Sequence, residues 1–314
     1  MNEKIYFVDN QLQIEINVIG YKTIGESSVI FIKCDSTIVF SAVIDCYCNH
    51  GMNKTIDILK ANDIDSIDYL CWSHPDFDHS EGMCDIFDDF VNDHTLINIP
   101  ENAEVSKGHC SRKVIRLFNK LKSELNRKEN IYTVSDMKDL LYYCDDLKFI
   151  HNNKTYELQM TSFAPNSNIT RNELINDHFV KNDHSIALML CLGKHIFMFT
   201  GDIENATISR LRKIPRQPFF VKIPHHGSRG ANMMIDLFET IDVACSTVYR
   251  RGNSCLPGHN VLEQHKEKTK ELYLTSSFGN NEDNFGIVQI NIDILNDYHQ
   301  TYLFGNAIEV ACRV

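Results

Sequence analysis

Residues 73–82 read SHPDFDHSEG and place His74, Asp76, Asp78 and His79 within six positions, directly after the apolar run Ile67–Trp72. Imidazole and carboxylate donors mixed in this way suit Zn²⁺, Mn²⁺ or Fe²⁺, and no thiolate joins the set. Asp, His and Pro75 are also ordinary turn residues, but a strand that delivers four such donors at once points to one or two cations. Three later segments repeat the setting of a strand running into a polar turn. FMFTGDIE ends near Asp202, KIPHHGS carries His225 and His226, and LPGHN carries His259. A lone loop histidine is commonly a surface residue; it is the recurrence that makes these a constellation. Two cations sharing such donors would lower the pKa of a bridging water, hold the hydroxide for in-line attack and stabilise the leaving oxygen. That chemistry serves phosphate esters, and equally carboxylic esters, lactones, thioesters and amides.

The elements that must position these residues read as strands with short helices. Ile5–Val8, Gln13–Val18, Val29–Lys33 and Ile38–Ile44 are rich in β-branched and aromatic residues, punctuated by Gly20 and Gly25. Asp45 follows the fourth of these, where a carboxylate can reach a site beyond the strand end. Thr55–Asn62 reads as a short helix, and Ile67–Trp72 as the strand that delivers the first donors. Val114, Leu117, Phe118, Leu121 and Leu125 fall at helical spacing within 105–130. The opposite face carries Arg112, Lys113, Arg116, Lys120, Lys122, Arg127 and Lys128. It reads as a solvated face or as a surface that tracks phosphates. Strands resume at Tyr156–Phe163, Ser185–Leu192 and His195–Thr200, then Phe219–Ile223, Val243–Val248, Leu272–Thr275 and Phe285–Ile294. Helices are expected after Asp202 to about Arg212 and over about 231–239. The segment of about 85–180 reads as a helical and loop insertion between two halves of a β framework. With no repeat, low-complexity tract or Pro/Gly/Ser linker, residues 1–314 read as a single domain.

Composition bounds the function. Of 314 residues, 43% are hydrophobic and 23% charged, enough for a sizeable soluble core. No apolar stretch has the length to span a bilayer, and the opening MNEKIYFVDN predicts no secretory leader. Eleven scattered cysteines, with Cys46 and Cys48 the closest pair and no CxxC, read as buried thiols of a cytoplasmic protein. A net charge of −11 argues against a global basic face for nucleic acid, though not against a local basic groove.

In this order, HxDxDH, TGD and HHGS resemble the metallo-β-lactamase superfamily. Asp76, at the place of the more common His of HxHxDH, is similar to the variant of the ComEC-like subgroup. NDHSIALMLCLGKHIFMFTGDIE, PHHGSRG and GHNVL resemble further blocks of that subgroup, over roughly 13–83 and 180–290. The chain departs at Asn260, where the family usually has Pro, and in GYKTIGESS, where the family has a glycine-rich GQGD-like stretch.

The resemblance implies a four-layer αβ/βα sandwich of α/β (α+β) class, with two mixed sheets face to face and metals at one edge. It implies His74 and Asp76 as ligands of a first metal and Asp78 and His79 of a second, with Asp78 also orienting the nucleophilic water. Asp202 resembles the bridging carboxylate, and His225 stands as the best remaining ligand. His226 and His259 are candidates for ligation, substrate phosphate contact or leaving-group protonation. Asp45 resembles a residue that supports the ligand loop, and His184 reads as a strand residue rather than a ligand. Carboxylate at Asp76 tilts the preference of a dinuclear site from Zn²⁺ toward Mn²⁺. The expected function is that of a metal-dependent phosphodiesterase or nuclease acting on DNA, RNA or a small phosphodiester. Hydrolysis of a small carboxylic ester or lactone is the alternative, as is a partner-gated effector module. No membrane is expected as partner; a protein partner or homo-oligomer is left open.

Overall fold

A computed structural model describes residues 3–100, 110–125, 130–141, 146–176, 179–277 and 283–314. The chain runs through β1 (Glu3–Phe7), β2 (Leu12–Tyr21), β3 (Glu26–Cys34), β4 (Thr37–Ile44), α1 (Lys54–Ala61), β5 (Tyr69–Cys71), α2 (Phe77–Ser80) and α3 (Met83–Asp89). It continues through β6 (Leu96–Pro100), α4 (Arg112–Leu125), β7 (Ile131–Val134), β8 (Asp146–His151), β9 (Lys154–Ala164) and α5 (Ser167–Ile175). Next come β10 (Ala187–Leu192), β11 (His195–Phe199), α6 (Asn205–Ile208), β12 (Phe220–Lys222) and β13 (Ile241–Ser246). The last elements are β14 (Tyr249–Arg251), β15 (Ser254–Leu256), α7 (His259–Lys266), β16 (Thr269–Leu274), β17 (Phe285–Asp293), β18 (Tyr298–Gly305) and β19 (Ile308–Val310).

Two large mixed sheets result. One has the order β18-β17-β2-β3-β4-β5-β6-β7, the other β1-β8-β9-β10-β11-β12-β13-β16-β19, and β14–β15 form a separate hairpin. Alternation explains how they stack. Ile14, Ile16, Ile30, Ile32, Val288 and Ile290 of the first sheet pack with Leu188, Leu190, Phe197, Phe199, Phe220 and Val243 of the second. The other face of the first sheet is covered by Leu59 of α1, Met83 and Ile86 of α3, and Val114, Leu117, Phe118 and Leu121 of α4. The outer face of the second is covered by Ile208, Met234, Ile235 and Leu262. Helices, sheet, sheet and helices therefore make the four layers that the sequence resemblance implies. Among the described residues no helix is long and apolar enough to cross a membrane, and no disulfide is formed among them.

Parallel pairing decides where the donors gather. β4 and β5 run parallel, as do β11, β12 and β13. Their C-terminal ends open on one edge of the sandwich, where polar side chains leave the sheets together.

Several expected elements differ. Within 85–180 the described residues are not helices and loops alone: β6 and β7 complete one sheet, and β8 and β9 belong to the other. β6, LINIP, is buried throughout, so it lacks the alternation that marks a half-exposed strand. The helix after Asp202 is one turn, Asn205–Ile208, and the expected helix near 231–239 is a 3₁₀ segment over Arg229–Leu237. On α4 the basic face is partly neutralised within the chain, since Lys113 pairs with Glu81 and Lys120 with Asp88. Arg127 and Lys128 lie outside the described residues.

Candidate metal centre

Four strand ends meet at the edge. β5 runs into Ser73 and His74, and α2 then carries Asp78 and His79 on one turn. β4 ends beside Asp45, β11 runs through Thr200 and Gly201 to Asp202, and β12 runs to the HHGS turn. Gly201 adopts φ +51, and a Cβ there would meet the Ser185 hydroxyl and the Ile186 carbonyl. Glycine thus lets the chain reverse tightly enough to leave Asp202 pointing along the sheet edge. Ser185 Oγ receives the Asp202 N–H at 2.9 Å and fixes that turn.

Asp202 is the hub. Its Oδ2 lies 3.7 Å from His74 Nε2, 3.4 Å from His79 Nε2 and 3.7 Å from His226 Nε2. Asp76 Oδ2 stands 3.6 Å from His74 Nε2, and Asp78 Oδ2 stands 3.1 Å from His226 Nε2 and 3.9 Å from His79 Nε2. The three imidazoles are buried at 1% side-chain exposure or less.

Hydrogen bonds behind the rings set their tautomers. Ser73 Oγ donates to Asp45 Oδ2 at 2.5 Å, so it accepts from His74 Nδ1 at 3.0 Å. His79 Nδ1 donates to Asp45 Oδ2 at 2.7 Å. Thr247 Oγ1 donates to Glu26 Oε2 at 2.5 Å, so it accepts from His226 Nδ1 at 2.8 Å. Each ring thereby carries a proton on Nδ1 and turns its Nε2 inward, the atom that a cation would take. Buried His74 Nε2, His79 Nε2 and Asp202 Oδ1 have no hydrogen-bond partner. The Nε2 atoms and carboxylate oxygens gather within 3.1–3.9 Å of one another, with His226 Nε2 at hydrogen-bonding distance from Asp78 Oδ2, and this mixed N/O donor set suits a divalent transition metal.

The electrostatics agree. Burial raises Asp202, but His79, His226 and His225 outweigh it and hold the carboxyl well below its ordinary range. Burial likewise opposes ionisation of Asp78, yet the His226 contact and the charges of His79 and His226 lower it. His79 is pulled down by burial and pushed further up by Asp202, Glu26 and Asp45. Asp76 is held low against its burial by His74 and by Lys181, whose Nζ lies 2.6 Å from Asp76 Oδ1.

Glu26 belongs to this cluster and escaped the sequence reading. Its carboxylate lies with His79, Asp202 and His226 in one buried group of potential donors. It approaches the imidazoles from behind, 3.9 Å from His79 Nδ1 and 3.5 Å from His226 Nδ1. Its oxygens are engaged by buried Lys222 and by Thr247, so it supports the rings rather than facing the centre. Lys222 opposes its own burial through Glu26 and Asp202, which raise it. The available signal was an acid directly after Gly25 in GYKTIGESS, and the Lys of KIPHHGS.

The expected residues sort by position. His74, Asp76, Asp78, His79, Asp202 and His226 come together, with Asp45 directly behind His74 and His79. Of the two adjacent histidines, His226 aims its Nε2 into the cluster. His225 turns Nδ1 to Glu204 at 2.9 Å and stands 3.5 Å from the Asn182 amide. Both have left-handed φ, +47 and +51, which splays the neighbouring rings apart. His259 is exposed in the first turn of α7, next to Gly258, whose N–H donates to Gly227 O at 3.0 Å. His184 is in a 3₁₀ turn rather than a strand, and its Nε2 pairs with Glu173 at 2.7 Å.

No family model matches the chain, and no curated protein is similar to it. Solved structures are. A protein named as a metal-dependent hydrolase, from Parabacteroides distasonis, is 12% identical over 79% of this chain and 92% of its own, with a TM-score of 0.41. A diphosphatase of the PhnP family is 10% identical over 75% of this chain and 86% of its own, with a TM-score of 0.37. The metallo-β-lactamase SMB-1 is 9% identical over 64% of this chain and 65% of its own, with a TM-score of 0.32.

Proposed function

We propose that this chain is a metal-dependent hydrolase, a phosphodiesterase acting on nucleic acid or on a small phosphodiester through a dinuclear centre. The observation that carries the reading is Asp202 Oδ2, set within 3.7 Å of three inward imidazole Nε2 atoms, with Asp76 on one side and Asp78 on the other. His74, Asp76 and Asp202 would hold one divalent cation, and Asp78, His79, His226 and Asp202 the second. Such a pair supplies Lewis acidity and a water of lowered pKa at neutral pH. Asp45, Ser73, Thr247 and Glu26 keep the rings in the tautomer that ligation needs. Asp78 would orient the attacking water, and His259 would meet a leaving group or a substrate phosphate. Asp76 adds an anionic oxygen to the His74 side, which favours Mn²⁺ relative to an all-imidazole site.

Cleavage of labelled single- and double-stranded DNA and of bis(p-nitrophenyl) phosphate with Mn²⁺, Mg²⁺ or Zn²⁺ tests the reading. Wild type is expected to cleave and Asp78→Ala to fall to background. Hydrolysis of carboxylic esters far faster than of any phosphodiester would replace the reading with that of an esterase or lactonase.

A further inference from the structure

The β14–β15 hairpin stands over the His226 side of the centre, and both its ends are pinned. At the first, the Arg250 N–H donates to Thr23 O at 2.5 Å and the Arg250 guanidinium donates to Ser277 O. At the second, Pro257 packs on Gly227, the glycine of the HHGS turn. Gly227 adopts φ +75, and a Cβ there would run into Pro257. The hairpin is therefore fixed to the same turn that aims His226. It lays the Tyr249 ring 5.2 Å from the His226 ring, at 39°.

Arg251 is exposed at the hairpin tip, the last residue of β14 before the turn to β15. Arg251 stands two residues from Tyr249 on β14, so the two side chains leave the same face of the hairpin. Tyr47, which packs on Phe77 of α2, reaches the same corner from the first sheet. Burial raises both Tyr47 and Tyr249; Asp78 raises each further and Arg251 lowers each. An exposed guanidinium on the same hairpin face as a phenol whose ring packs on His226 matches an oxyanion in donor geometry and charge.

We propose that Arg251 and the Tyr249 hydroxyl bind a second phosphate of the substrate, adjacent to the one that is cleaved. The substrate class is then a chain of phosphodiesters, or a diester bearing a terminal phosphate, rather than a single isolated diester or a cyclic nucleotide. The inference rests on the phosphodiesterase reading above.

The test compares thymidylyl-thymidine with its 5′- and 3′-phosphorylated forms, using wild type, Arg251→Ala, Arg251→Lys and Tyr249→Phe with Mn²⁺. In wild type one of the added phosphates is expected to lower KM about tenfold, the worth of one charge-assisted contact. Arg251→Ala should lose that gain with kcat on the unphosphorylated dinucleotide unchanged, and Arg251→Lys should keep part of it. A gain that survives Arg251→Ala, or a variant that weakens all three substrates equally, would overturn the proposal. Anisotropy of labelled oligothymidylate on wild type and Arg251→Ala separates this from the reading beneath it. No cleavage of any diester refutes the reading. Equal binding by the two proteins refutes the phosphate site, whether or not cleavage occurs. A circular-dichroism melt of each variant, expected to match wild type, shows that the fold is kept.

Discussion

On the floor of the centre His74, His79 and His226 are at most 1% exposed, whereas on the rim Lys181, Asp76, His225 and Glu204 are between 23% and 32% exposed. Each floor imidazole has a proton acceptor behind it, and two of the acceptors, Ser73 and Thr247, are themselves tied to buried carboxylates. Rim groups instead pair with each other through side chains that reach water. The difference separates two tasks. The floor fixes which ring nitrogens point inward, and a change there disturbs geometry and folding together. The rim, with Arg251 beside it, meets whatever approaches and can change without disturbing the core.

The largest effect outside the inward donors is expected at Glu26→Gln. Lys222 is 2% exposed and would lose its charged partner. Breaking one side of a buried ion pair costs about 3–5 kcal/mol, and loosening the support of His226 should weaken metal affinity by about 10–100-fold. Denaturant melts and metal titration check both. If Glu26→Gln is as stable and as tightly metallated as wild type, the floor is not built on this pair.

A smaller effect, set by pH, is expected at Asp183, buried in the turn Lys181–His184 that carries the rim residue Lys181. Burial, then the neighbouring Glu173 carboxyl, push Asp183 up to about 7. Its folded pKa is thus raised above the unfolded value of about 3.9. The native state therefore holds the extra proton, and this group makes stability fall as pH rises from about 4 to about 7. Asp183→Asn should raise Tm at pH 8, and the gain should vanish near pH 4. A gain that is the same at both pH values would contradict this account.

The smallest effect should come from the basic helix. Lys120 is 24% exposed and Asp88 is 52% exposed, so their pair is worth less than about 1 kcal/mol. Lys120→Ala is expected to leave stability and DNA cleavage near wild type. A large rise in KM for DNA would restore α4 as a phosphate-tracking surface and extend the rim across the first sheet.

The same contrast explains what could be read from the chain. Donors leaving strand ends in compact motifs, His74 to His79 and Asp202, were legible because strand, turn and ligand are contiguous. Glu26, Lys222 and Thr247 were not, because they meet only when β3, β12 and β13 are brought together by sheet packing. Choosing between His225 and His226 needed backbone angles, as both residues are left-handed and adjacent rings splay apart. The strand β2, LQIEINVIGY, was visible from its alternation, and β3 from its β-branched and aromatic run Val29–Ile32. The fully buried β6 and the 3₁₀ segment Arg229–Leu237 were not, since each departs from the period that betrays its type.

Metal content measured by inductively coupled plasma mass spectrometry, on wild type, Asp202→Ala, His226→Ala and His225→Ala reconstituted with Mn²⁺ or Zn²⁺, tests the central claim. The account predicts two ions per wild-type chain, one or none in Asp202→Ala, loss of an ion in His226→Ala and retention of both in His225→Ala. A wild type that binds no ion, or an Asp202→Ala that keeps two, would contradict it.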